Sequence, residues 1–66
     1  MENIIEIFMS RGMSRKSAEK ELATLTREYK EIVDEVIDPE EAYSELESLF
    51  RRFGLSMENA DELAMS

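Results

Sequence analysis

The chain has 66 residues, a length that allows one domain, and 42% of them are hydrophobic. A domain of this size buries only about 60% of the surface that its unfolded chain exposes, so its stability is expected to be small. The absence of cysteine and histidine excludes disulfides, thiol nucleophiles, zinc sites and histidine-based catalysis, and a net charge of −8 argues against general affinity for phosphate backbones.

A first helix is predicted over about residues 2–11. Gly12 then supplies the left-handed residue that ends a helix, and Met13 is placed to fold back on Phe8. The apolar residues of this helix surround much of its circumference, which predicts burial on more than one side. They are Ile4, Ile5, Ile7, Phe8 and Met9.

A second, long helix is predicted from the N-cap Ser14 to about Ile37. Its apolar positions alternate in steps of four and three, with Val33 and Ile37 widening the seam. The seam residues are Ala18, Leu22, Leu25, Tyr29, Ile32 and Val36. The β-branched Thr24 and Thr26 leave open whether the helix breaks there.

The third helix begins at the segment 38–41. Asp38 is predicted as its N-cap and Pro39 as its first residue, with Glu41 reaching back to Asp38 in a capping box. The short connection favours antiparallel packing of the second and third helices. The apolar face of the third helix contains Ala42, Tyr43, Leu46, Leu49, Phe50 and Phe53.

Gly54 is predicted to end the third helix, with Leu55 packing back on Phe50 and Ser56 capping a short fourth helix to about Ala64. A shift of 42 residues aligns this corner with the first one, placing Gly12 on Gly54. Either good helix corners resemble each other, or the two reflect residual common ancestry or quasi-symmetry. The predicted fold is a single all-α domain over residues 1–66, a small bundle of three principal helices and a short fourth.

No enzyme, cofactor or metal site is predicted. Each glycine ends a helix instead of opening a phosphate-binding loop, and the acidic residues near Asp38 lack the ligand spacing of a calcium loop. The acidic start of the chain is unlike a signal peptide, and no apolar run approaches the ~20 residues that span a bilayer. We therefore expect a soluble, cytoplasmic protein that does not interact with membranes.

The segment Gly12-Met13-Ser14-Arg15-Lys16-Ser17-Ala18, followed by Leu22, resembles the turn and early recognition helix of helix-turn-helix repressors. That resemblance implies DNA contacts by Arg15, Lys16 and Lys20. The segment also resembles the first two helices of ubiquitin-associated domains, in which a Gly-aromatic loop precedes a Ser-Arg-x-x-Ala helix. Met13 stands in place of that aromatic residue.

Charge is unevenly distributed, with a net of +1 in residues 1–27 and −9 in residues 28–66. On a helical wheel, Lys16, Lys20 and Arg27 form a basic stripe opposite the apolar seam. Acidic residues follow along the same helix. The candidate partner-binding residues are Glu28, Glu31, Asp34, Glu35, Lys16, Lys20 and Arg27.

The favoured function is a non-catalytic protein-interaction module, a small regulator or inhibitor of the kind carried by phages and mobile elements. One alternative is an acidic mimic of nucleic acid, and another is a helix-turn-helix DNA binder. A homodimer is left open, with Ile5 and Met9 as candidate contacts. A parallel coiled coil is disfavoured, because no basic residue answers the glutamates that flank the seam.

Overall fold

The structure is a computed structural model that describes residues 3–64. The chain forms α1 (Ile4–Ser10), α2 (Arg15–Glu35), α3 (Pro39–Arg52), a single 3₁₀ turn (Met57–Asn59) and α4 (Ala60–Ala64). The described residues contain no strand. The predicted all-α fold, with three principal helices and a short fourth, is confirmed.

Helix α2 passes through its two threonines without a break. The Thr24 hydroxyl donates to the carbonyl of Lys20 at 3.2 Å, and the Thr26 hydroxyl donates to the carbonyl of Leu22 at 2.8 Å. Each hydroxyl therefore bonds back one turn along its own helix instead of capping a new one. The question that the sequence left open is answered in favour of one continuous helix.

The predicted end of α2 is wrong by two residues, and Ile37 does not widen the seam. The helix ends at Glu35, Val36 is extended with φ −93° and ψ 114°, and Ile37 is 95% exposed. Pro39 disfavours a helical conformation at Asp38, which must also be extended to cap the next helix. The chain consequently leaves α2 before it reaches Asp38, and Ile37 is turned into solvent.

Asp38 is confirmed as the N-cap of α3, because its carboxylate accepts from the N–H of Glu40 at 3.0 Å. The predicted capping box is wrong, since within the described residues the backbone N–H of Asp38 makes no hydrogen bond to the Glu41 carboxylate. A reciprocal arrangement lies at the last corner instead. There, Asn59 Oδ1 accepts from the N–H of Ser56 at 3.2 Å, and the Asn59 N–H donates to the Ser56 carbonyl at 3.0 Å.

The two glycine corners have the same backbone structure. Gly12 and Gly54 have φ values of +96° and +70°, in the left-handed region that favours glycine. The residue after each glycine donates its N–H to a phenylalanine carbonyl five residues back, at 3.3 Å for Phe8 and 2.8 Å for Phe50. Both corners are therefore Schellman-type helix ends, as the aligned sequences predict.

The core lies at the end of the molecule where these two corners meet, which we call the corner end. All four helices contribute fully buried apolar residues to it: Ile4, Phe8, Ala18, Leu25, Leu49, Phe50 and Leu63. No residue from 26 to 48 is buried. The half-buried Tyr29 and Ile32 still pack against the core, and beyond them α2 and α3 continue as a two-helix hairpin in a molecule measuring 36 × 21 × 18 Å.

Two side chains tie the beginning of the chain to its end. The Arg11 guanidinium donates through Nη1 to the carbonyl of Phe53 at 2.9 Å and through Nη2 to the carbonyl of Gly54. Carbonyls at the end of a helix lack partners within the helix, so the guanidinium caps α3. The Glu62 carboxylate accepts from the N–H of Ile4 at 2.9 Å and so caps the start of α1.

Gly54→Ala is expected to lower the free energy of unfolding by about 1–2 kcal/mol for two reasons. The residue has a positive φ, and an added Cβ would lie 2.7 Å from Arg11 Nη1, displacing the guanidinium. Arg11→Ala alone removes the same cap, at a cost of about 1 kcal/mol. The double variant should therefore lose less stability than the two single variants together, as measured by urea unfolding.

Gly12→Ala is the comparison at the other corner, where an added Cβ meets no atom within 4 Å beyond those of its chain neighbours. Because the Arg11 guanidinium lies at the Gly54 corner, the cost of Gly12→Ala should come from its positive φ and should add to that of Arg11→Ala. Additive costs for the Gly54 and Arg11 substitutions would show that the guanidinium does not cap this corner.

Candidate functional site

The net charge of the chain is carried by the part of the hairpin that contributes no buried residue to the core. Residues 28–47, here called the distal hairpin, contain nine acidic residues and one basic residue, Lys30, for a net charge of −8. The remaining residues, 1–27 and 48–66, contain seven acidic and seven basic residues. The end of the molecule with a core is neutral, and the end without one is strongly acidic.

Helices α2 and α3 run antiparallel, joined by residues 36–38, and the rings of Tyr29 and Phe50 pack with centroids 6.3 Å apart. Successive residues of a helix are rotated by about 100°, so Val33 and Tyr43 each lie roughly 60° round their own helix from the middle of its seam, in the same rotational sense. Because the two helices are antiparallel, equal rotations in that sense place both residues on the same side of the helix pair. We call this side of the distal hairpin the apolar flank.

The apolar flank exposes large hydrophobic side chains to solvent. Val33 is 51% exposed, Tyr43 is 55% exposed, and Ile37, at the tip of the hairpin, is 95% exposed. The sequence pattern predicts that all three lie on buried faces. Pro39 is the signal that could have excluded Ile37 from the seam. It disfavours helical backbone at Asp38, so α2 must end before that residue.

The opposite side of the distal hairpin is lined with carboxylates. The same rotation of about 100° per residue places Glu28 and Glu35 of α2 and Glu45 of α3 on this side. Glu31 and Glu41 lie on the same side but farther from the seam between the helices. We call it the acidic flank. Lys30 does not neutralise it, because that residue lies on the apolar side of α2.

Three of the four predicted acidic contact residues, Glu28, Glu31 and Glu35, therefore lie on the acidic flank. Asp34 is on the outer face of α2, which points away from α3. None of the four takes part in an ion pair within residues 3–64. Asp34 and Glu35 also lie in the last turn of α2, where the helix dipole disfavours negative charge.

The predicted basic residues Lys16, Lys20 and Arg27 are exposed on the outer face of α2, in line with Asp34. The structure does not bring them onto the acidic flank. Arg15 pairs with Glu19 at 3.5 Å in an exposed contact. DNA binding by this segment stays a prediction.

The two residues proposed for self-association differ in their surroundings. Ile5 is half-buried and packs against the core, whereas Met9 is 41% exposed on α1. Ile5, one of the two predicted dimer contacts, thus packs within its own chain. Dimerisation stays a prediction.

The described residues form no pocket and no cluster of side chains that could hold a metal ion. None of the described helices has both the length and the apolar run needed to cross a membrane. Comparisons with protein-family models, curated proteins and solved structures found no match. The surfaces that residues 3–64 offer for recognition are helix faces and the hairpin tip.

Glu35→Gln is expected to raise the free energy of unfolding by a few tenths of a kcal/mol at low salt. The change removes a repulsion from Glu31 four residues back and an unfavourable charge at the end of α2. Urea unfolding in about 10 mM and about 500 mM salt should show a gain that shrinks as screening increases.

Glu47→Gln is the control within the same hairpin, because Glu47 pairs with Arg51 at 3.5 Å. Its loss should give no gain in stability. Equal gains from both substitutions would contradict the assignment of local repulsion to Glu35.

Proposed function

We propose that this protein is a non-catalytic interaction module, a small regulator or inhibitor that docks its distal hairpin on another macromolecule. The observation that carries the proposal is the combination of exposed apolar side chains and concentrated charge beyond the core. No residue from 26 to 48 is buried, yet this stretch exposes Val33, Ile37 and Tyr43 to solvent by half or more.

The distal hairpin is costly for a domain of this size. Helices obtain most of their stability from packing an apolar face, and here that packing is limited to the seam between two helices. Its acidic residues repel one another at spacings of four, as in Glu31–Glu35 and Glu41–Glu45. A binding role accounts for both costs, since a partner would cover the apolar side chains and neutralise the carboxylates.

Ile37 is the natural anchor of such an interface. It projects from the hairpin tip, and carboxylates precede and follow it in the chain at Asp34, Glu35, Asp38 and Glu40. Interfaces concentrate their binding energy in a few apolar anchors that surrounding residues shield from water. The charge around the anchor would speed encounter with a basic surface in a salt-dependent manner.

Ile37→Ser is expected to weaken binding of the natural partner by roughly tenfold or more, as for a central interface residue. The melting temperature should barely change, because a side chain that is 95% exposed packs on almost nothing. The partner would be captured from cells that express the chain, purified and titrated against wild type and variant.

Met9→Ser is the matched control, since it also replaces an exposed apolar residue with serine but lies on α1 at the corner end. It should bind as wild type does. If Ile37→Ser binds like wild type while Met9→Ser does not, the proposed surface is wrong.

The alternative function, an acidic mimic of nucleic acid, is favoured by a different observation. The acidic flank presents Glu28, Glu35 and Glu45 on one side of two adjoining helices without an intervening basic residue. Such a surface could occupy a basic groove that otherwise holds phosphates.

Replacing Glu28, Glu35 and Glu45 together by glutamine separates the two functions. Under mimicry this variant should lose the partner, Ile37→Ser should retain it, and duplex DNA should compete with the wild-type chain in an anisotropy titration. Under the favoured function, Ile37→Ser should be the more damaging change. Failure of DNA to compete would count against mimicry.

A further inference from the structure

The two ends of the α2–α3 hairpin are covered differently. At the corner end, α1 and the last helical segment lie against α2 and α3, and their residues Ile4, Phe8 and Leu63 are part of the core. No hydrophobic residue from 33 to 48 belongs to this core or packs against it. The distal hairpin is a pair of helices that lacks the third layer present at the corner end.

The apolar flank presents side chains that could pack against a third helix. Val33 and Tyr43 lie on one side of the seam, and the half-buried Ile32, Val36 and Leu46 lie along the seam itself. A groove between two antiparallel helices accepts the side-chain ridge of a third helix. The element that fits this surface is therefore a helix with apolar residues at spacings of three and four.

Charge selects among the helices that could bind there. A second copy docked through the same surface would bring a net charge of −8 against another −8. An uncharged helix would give no partner to Glu40, a carboxylate near the flank that has no ion pair within residues 3–64, whereas Glu47 already pairs with Arg51. A helix with lysine or arginine on its polar face would bury its apolar face, pair a cation with Glu40, and be attracted by the net charge of −8 on the distal hairpin, although Lys30 also lies on this side.

We propose that the apolar flank of the distal hairpin binds an amphipathic helix with a basic polar face, contributed by another protein. The helix lies along the groove beside Val33 and Tyr43 and reaches Ile37 at the tip. This inference rests on the proposed function and specifies the chemistry of the partner. It differs from mimicry of nucleic acid, which uses carboxylates and has no use for the exposed apolar side chains.

The test uses the full-length chain and synthetic peptides of about 18 residues, or five helical turns. The first peptide contains only leucine and lysine, with leucines spaced to form one apolar helix face. The second has the same composition in an order that forms no face, and the third replaces every lysine of the first with glutamate. Binding is followed by fluorescence anisotropy of a labelled peptide at two salt concentrations.

The first peptide should bind, with an affinity that falls as salt is added, and the second should bind roughly tenfold or more weakly. The glutamate peptide should not bind. Tyr43→Ser should weaken the first peptide by a similar factor, while Met9→Ser should not. Circular dichroism melts of both variants verify that any loss of binding is not a loss of fold.

Equal binding of the two lysine peptides would overturn the inference, because charge alone would then explain the interaction. A wild-type chain that sediments as a dimer, and as a monomer after Tyr43→Ser, would also overturn it by assigning the flank to a second copy. If the peptides fail but the natural partner still depends on Ile37, the inference falls and the proposed function stands. If the natural partner is indifferent to Ile37, the proposed function falls as well.

Discussion

The fold of this protein depends on the buried contact among the four helices at the corner end. Arg11, at the first corner, donates to the carbonyls of Phe53 and Gly54 at the second, and so holds the two corners together. Because α1 has 7 residues and α2 has 21, a first helix fixed at that end covers only about 10 Å of a helix about 31 Å long. The exposed distal hairpin therefore follows from the position of α1 at the corner end and from the unequal lengths of α1 and α2.

Local signals in the sequence predict most of the helices. Glycine, an apolar residue and serine define both corners, and Asp38 with Pro39 defines the start of α3, because the chemistry of each lies within a few residues of chain. The contacts that close the fold escape such reasoning. Arg11 acts on carbonyls 42 and 43 residues away, so no local pattern can reveal the contact.

The candidate site was predictable in its charge but not in its apolar part. Acidic residues can be counted along a sequence, and a rotation of about 100° per residue places Glu28 and Glu35 on the same side of the helix. The exposure of Val33 and Tyr43 could not be read in the same way, since an apolar residue at seam spacing is normally buried. Whether such a residue is buried depends on whether α1 or the last helical segment covers it. How far those segments extend along α2 and α3 is a property of the whole fold.

The absence of buried residues between positions 26 and 48 has a consequence for motion. Opening the last turns of α2 and the first turns of α3 would expose little apolar area, whereas opening the corner end would expose the whole core. Backbone amides of the distal hairpin should therefore exchange with solvent through small local openings, and those around Phe8 and Phe50 only through global unfolding. A bound partner would suppress those openings, so recognition at this hairpin is linked to local folding of the surface that is recognised.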